Sequence, residues 1–92
     1  MKYKGYEFQW ELSKNDKKFI DHLVKNDFKI LEHKQYISKT KFTLEKDDIE
    51  FKYEIYSEIS DMQGYLKGFD RAFETHKKYI ALCLKESERG ED

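Results

Sequence analysis

The side chains able to do chemistry in this chain are few and scattered. His22, His33 and His76 are the candidates for a metal site or a proton relay. None has a second histidine at the spacing that sets two imidazoles on one face of an element. The single cysteine, Cys83, excludes an internal disulfide and a cysteine-based zinc site. No cationic pattern around it marks an activated thiolate, and it reads as a small hydrophobe. Ser13, Ser38, Ser57 and Ser60 fall in capping or turn contexts rather than beside a base. Gly5, Gly64, Gly68 and Gly90 are too dispersed for a loop that cradles phosphates. No catalytic residue, cofactor or metal ligand is expected from these patterns, so the residues that remain informative are those suited to binding.

Two charge groupings qualify. Residues 1–41 carry net +4, residues 42–63 net −5, and the remainder is neutral, which together give the chain its formal −1. In the acidic block, Glu45, Glu50 and Glu54 alternate along a strand pattern with Asp47 and Asp48 at a turn, and Glu58 and Asp61 follow at the next helix start. A spaced row of carboxylates can imitate nucleic-acid phosphates and engage a basic groove on another protein, while Glu58 and Asp61 also suit a helix dipole. The basic portion offers Lys14, Lys17, Lys18, Lys25, Lys29, Lys34, Lys39 and Lys41. On one surface with Tyr36, these would contact phosphates and stack a base.

Period and spacing predict the elements that must position these groups. Tyr6, Phe8, Trp10 and Leu12 alternate with Glu7, Gln9 and Glu11, which predicts a half-buried strand over 2–12 with Gly5 at a bulge. Ser13 with Asp16 is a shortened capping box, and Phe19, Ile20, Leu23 and Val24 share one face of a helix over 14–26 that Asn26-Asp27 ends. Phe28 and Ile30 open a second strand, 36–44 forms a third, and Ile49, Phe51, Tyr53 and Ile55 mark a fourth. Residues 31–35 fit an edge strand or a loop, and Glu45 to Asp48 a four-residue hairpin loop without glycine. From Ser57 to Ser87 the seam Ile59, Met62, Leu66, Phe69, Phe73, His76, Ile80 and Cys83 steps by three and four, predicting one long amphipathic helix. His76 on that seam is expected to be satisfied by one hydrogen bond, and Gly64 with Gly68 to permit close packing against the sheet.

These elements add up to a single α+β domain over 1–92: strand, helix, three strands and long helix, with an antiparallel sheet and both helices packed on one face. Its core is expected at Phe8, Trp10, Phe19, Leu23, Phe42, Phe51, Tyr53, Leu66, Phe69 and Phe73, with a frayed tail over 86–92. A helix of that length, ~45 Å at 1.5 Å per residue, overhangs a ~23 Å strand. The helix either breaks near the glycines or its far end buries Phe73, Ile80 and Leu84 against something else, either the first helix packed alongside or a partner, a homodimer through the seam being one such arrangement.

The helix, three strands, helix order of residues 14–87 is similar to that of the double-stranded RNA-binding domain. That resemblance implies lysines at the start of the second helix to grip duplex phosphates, and here the start reads Ser57-Glu58-Ile59-Ser60-Asp61. With its acidic hairpin the order also looks like that of some small phage inhibitors of CRISPR nucleases, which implies a protein partner that itself binds nucleic acid.

Composition bounds the rest. Hydrophobic residues at 38% and charged residues at 40% fill one small core, with fifteen aromatics, Trp10 among them, supplying much of its volume. Sixteen lysines against two arginines, with no proline, favour A/T-rich codons and point to a low-GC bacterium or its phages or plasmids. Met1 is followed at once by Lys2 and Lys4, and no apolar run has signal or membrane length. The expectation is a cytoplasmic, non-enzymatic protein-binding module, with a nucleic-acid binder or a homodimeric regulator as the alternatives.

Overall fold

In the computed structural model, which describes residues 1–89, the capping box at Ser13 is complete. The Ser13 hydroxyl accepts the Asp16 N–H at 3.1 Å and the Asp16 carboxylate accepts the Ser13 N–H at 3.3 Å. It starts α1 (Lys14–Lys25), which buries Phe19, Ile20 and Leu23. Val24, expected on the same face, is 43% exposed. The helix closes at Asn26, followed by Asp27 in the left-handed region at φ 63°.

Three strands follow as an antiparallel meander, β3 (Lys29–Gln35), β4 (Lys39–Lys46) and β5 (Ile49–Tyr56), in the order β3-β4-β5. The ambiguous stretch 31–35 is therefore strand, and its ambiguity has a cause: the register shifts between Ile30 and Glu32. That bulge turns Leu31 outward and breaks the alternation that would have identified the strand. The four-residue loop expected at Glu45 to Asp48 is instead a two-residue turn. Lys46 pairs with Ile49, and Asp47 and Asp48 both take positive φ, 54° and 61°. Aspartate tolerates this conformation through its short polar side chain, so the turn forms without glycine.

The strand expected over 2–12 does not join this sheet. It is a separate hairpin, β1 (Lys2–Tyr3) with β2 (Tyr6–Glu7), reversed at Lys4-Gly5 with φ of 50° and 89°. Gly5 serves a turn rather than a bulge. The chain then runs beside β3 without a ladder: the Tyr6 hydroxyl accepts the Ile30 N–H, the Phe8 ring lies 4.3 Å from the His33 ring, and the Gln35 amide clamps the Trp10 backbone. Phe8 and Leu12 are buried as their alternation predicts, but Trp10 is 46% exposed.

The long helix, α2 (Met62–Arg89), is continuous through Gly64 and Gly68. It begins five residues later than the pattern predicts, because Ser57 to Asp61 are committed elsewhere. The Asn15 amide donates to the carbonyls of Ser57 and Ile59, and the Asp61 carboxylate accepts the Gly64 N–H at 3.0 Å as a cap. A Cβ on Gly64 would run into that carboxylate, whereas one on Gly68 would meet open space. Gly64 therefore serves the cap, and neither glycine serves close helix–sheet packing. Residues 90–92 of the expected tail lie outside the described residues.

Both helices cover one face of the meander. Phe69 is the centre of the layer between them, its ring 5.0 Å from Phe19, 5.2 Å from Phe28 and 4.9 Å from Tyr53. Among the described side chains Phe73 is the last fully buried one on α2; His76 and Ile80 are half-buried, and Tyr79, Leu82 and Leu84 are about two-thirds exposed. The molecule is accordingly 53 Å long against 26 and 24 Å across.

Candidate binding surface on the open sheet

Among the described residues none forms a layer over the second face of the meander, and the strand pairing sets its side chains in rows. From the Asp47-Asp48 turn outward, Lys29–Glu45–Glu50 is followed by Glu32–Thr43–Lys52, then Lys34–Lys41–Glu54. The last row is Tyr36–Lys39–Tyr56, closed by the Tyr36 N–H donating to the Lys39 carbonyl at 2.7 Å. The face is thus polarised along the strands: carboxylates gather at the Asp47-Asp48 turn, ammonium groups and phenols at the other end.

At that second end, the Nζ atoms of Lys34, Lys41 and Lys39 lie 5.5, 5.6 and 5.9 Å from the Tyr36 ring centre, and Lys39 is also 5.9 Å from that of Tyr56. Glu54 sits among them, 3.5 Å from Lys39, 3.5 Å from Lys41, and accepting the Tyr56 hydroxyl at 3.0 Å. The phenol hydrogen bond and the two lysines hold its carboxyl below the usual range, and Glu54 in turn raises Tyr56. An open depression of 660 Å³ lies over Lys41, Glu54 and Tyr56. A smaller one of 340 Å³ lies between Trp10, Tyr36, Ile37 and Lys39 on one side and the start of α1 on the other, where Glu11 and Asp16 also line it. Ile37, at the tip of the β3–β4 turn, is 96% exposed, and the Ser57 N–H holds that turn through the Ser38 carbonyl at 3.0 Å.

Of the lysine grouping, Tyr36, Lys34, Lys39 and Lys41 come together here. Lys14, Lys17, Lys18 and Lys25 are on α1, in the other layer, and Lys29 is at the acidic end beside Glu45. Trp10, Ile37 and Tyr56 join the site although charge patterning does not single them out. The period-two run 50, 52, 54, 56 does place Tyr56 on this face; the alternation of 6, 8, 10, 12 hides Trp10 by assigning it to the core.

The acidic grouping divides into three. Glu45 and Glu50 face each other across β4 and β5 beside the Asp47-Asp48 turn, where Asp47 is 3.4 Å from Lys77. Glu54 belongs to the lysine end, and Lys52 separates it from Glu50 on the same face. Asp61 caps α2, with exposed Glu58 in the connection before it.

No group of three or more His, Cys, Asp or Glu side chains among the described residues could hold a metal ion. His22, expected on the outer side of α1, faces α2 instead, 2.8 Å from the Asp70 carboxylate. His76 is half-buried and meets the Glu50 carbonyl at 3.2 Å, as its place on the seam predicts. Cys83 is exposed rather than packed. No helix among the described residues is long and apolar enough to cross a membrane. No family model, curated protein or solved structure matches this chain.

Proposed function

We propose that this protein is a non-enzymatic binding module that holds a short stretch of single-stranded nucleic acid on the lysine–tyrosine end of its open sheet. The observation that carries the reading is the pair of adjacent rows Lys34–Lys41–Glu54 and Tyr36–Lys39–Tyr56, with exposed Trp10 lining one depression together with Tyr36 and Lys39. Ammonium groups interleaved with aromatic faces are what an unpaired strand requires: phosphates are neutralised while bases stack on rings, largely regardless of sequence. A duplex is less well served, since its bases are already stacked and the start of α2 carries Glu58 and Asp61 in place of lysines.

Trp10 is the chain's only tryptophan and a native reporter of occupancy. Titration with oligothymidylate should change its fluorescence. Three lysine–phosphate contacts predict a logarithmic salt slope near −2, about −0.7 per phosphate. Unchanged fluorescence together with no retention of the oligonucleotide at low salt would refute the reading.

One observation favours a second reading, in which the acidic end imitates phosphates and occupies a basic groove on a nucleic-acid-binding protein, as an anti-defence inhibitor of phage origin would. Glu45 stands directly opposite Glu50, next to two consecutive aspartates in the left-handed region. Like charges directly opposed weaken a hairpin, so this end is built against its own stability. Binding to a basic nucleic-acid-binding protein, competed by DNA and lost in the Asp48→Lys, Glu50→Lys double variant, is the result this reading requires.

A further inference from the structure

Among the described residues Glu54 is the carboxylate paired with the lysines of that end, and the groups around it are those that would hold a phosphate. Two ammonium groups at 3.5 Å and a phenol hydroxyl at 3.0 Å converge on its two oxygens. We infer that Lys39, Lys41 and the Tyr56 hydroxyl form a phosphate subsite that Glu54 fills in the free protein, and that an incoming strand must displace it.

The inference deepens the nucleic-acid reading and rests on it for the identity of the natural ligand. The side chains of Lys39, Lys41 and Glu54 are 30%, 48% and 36% exposed, so a solvent-borne anion can reach all three. The strand beneath is fixed independently: the Tyr65 hydroxyl donates to the main-chain carbonyl of Glu54. Glu54 can therefore swing aside about its own side-chain bonds without moving β5. Its lowered acidity range has the same origin, because the surroundings favour a negative charge at this point. Such an internal occupant competes with every phosphate ligand and discriminates against weak, isolated anions. A strand whose bases also stack on Tyr36 and Trp10 gains enough from the aromatic contacts to displace it.

Glu54→Gln removes the occupant's charge and keeps its shape. Oligothymidylate should bind this variant about three- to fivefold tighter than the parent, the scale of one surface ion pair. Glu74→Gln is the control, since it deletes the same charge from an exposed position on α2, in the other layer, and should change affinity by less than about twofold. Equal gains from the two variants would mean that net charge alone is responsible and would overturn the inference while leaving the nucleic-acid reading intact.

Pyrophosphate supplies a readout that needs no oligonucleotide. Followed by the side-chain NMR signals of Lys39 and Lys41, it should perturb Glu54→Gln and leave the parent unchanged. If it does so while neither protein binds oligonucleotide, the subsite stands and the nucleic-acid reading falls. If pyrophosphate perturbs neither protein, the subsite is refuted.

Discussion

Tyr65 shows how one side chain couples the binding face to the core. Its ring packs at 5.7 Å from that of Tyr53, and its hydroxyl ties α2 to the β5 carbonyl beneath Glu54. Burial, with Tyr53 beside it, pushes the phenol from 10.0 up to about 12. A phenol whose pKa is raised on folding contributes stability that is complete below pH 10. That contribution is lost as the pH climbs from 10 toward 12, where the unfolded chain has already given up the proton. Absorbance at 295 nm should therefore show a tyrosine that ionises after the ordinary exposed phenols and is absent in Tyr65→Phe. A single titration step near pH 10 would contradict this packing. Trp10 makes the opposite point at the same scale. Its alternation with Phe8 and Leu12 gives the pattern of a core residue, yet the Gln35 amide holds its backbone at 2.8 and 3.1 Å and leaves the indole 46% exposed. That clamp joins residues 25 apart, so no local pattern reveals it.

Helix, strand and turn were legible to different degrees, and the differences follow from what defines each. The α1 boundaries and the last strand of the meander were readable because capping and period two are local signals, carried by Ser13 with Asp16 and by Ile49, Phe51, Tyr53 and Ile55, whereas the strand expected over 36–44 starts only at Lys39, after the 36–38 turn. The N-terminal strand was misread because two successive left-handed residues, Lys4 and Gly5, reverse the chain where only the glycine advertises it. At the start of α2, amphipathic spacing continues back to Ile59 while the backbone does not, since Asp61 supplies the cap and Asn15 holds the carbonyls before it. The two helix glycines are consequently unlike. Gly68→Ala, which meets open space, should stabilise the protein by roughly 0.5–1 kcal/mol through helix propensity. Gly64→Ala should lose that gain and more, because its methyl group displaces the capping carboxylate. Urea midpoints of the pair decide the matter: equal shifts would mean that the Asp61 cap contributes nothing.

The whole molecule is organised by two mismatches, one of charge and one of length. Charge is segregated along the sheet, so net −1 conceals a basic aromatic end and an acidic end. Totals were legible in the sequence; the segregation was not, because it depends on registers that bring Lys34 beside Lys41 and Glu45 beside Glu50. The length mismatch was legible, since a strand and a helix advance by fixed amounts per residue, and the overhang follows in the structure. The first helix does not cover it: the fully buried positions Met62, Phe69 and Phe73 all lie in the first half of α2, His76 and Ile80 are half-buried, and Tyr79, Leu82 and Leu84 are exposed. Folding energy should therefore reside almost entirely in the first half of the helix. Phe73→Ala removes a ring that lies 4.9 Å from Phe28 and 5.8 Å from Phe51, and should cost about 3–5 kcal/mol, a large fraction of the stability of a small domain. Leu84→Asp, at a position 62% exposed, should leave the thermal midpoint of the dilute protein within about a degree of the parent. The comparison is best made by scanning calorimetry over a hundredfold range of protein concentration. If Leu84→Asp lowers the midpoint only at the concentrated end, the overhanging seam is an interface between copies, and part of the stability ascribed to the single chain belongs to the assembly. If the variant matches the parent throughout, α2 is anchored by its first three turns alone, and the remaining turns are an arm supported by its own backbone hydrogen bonds.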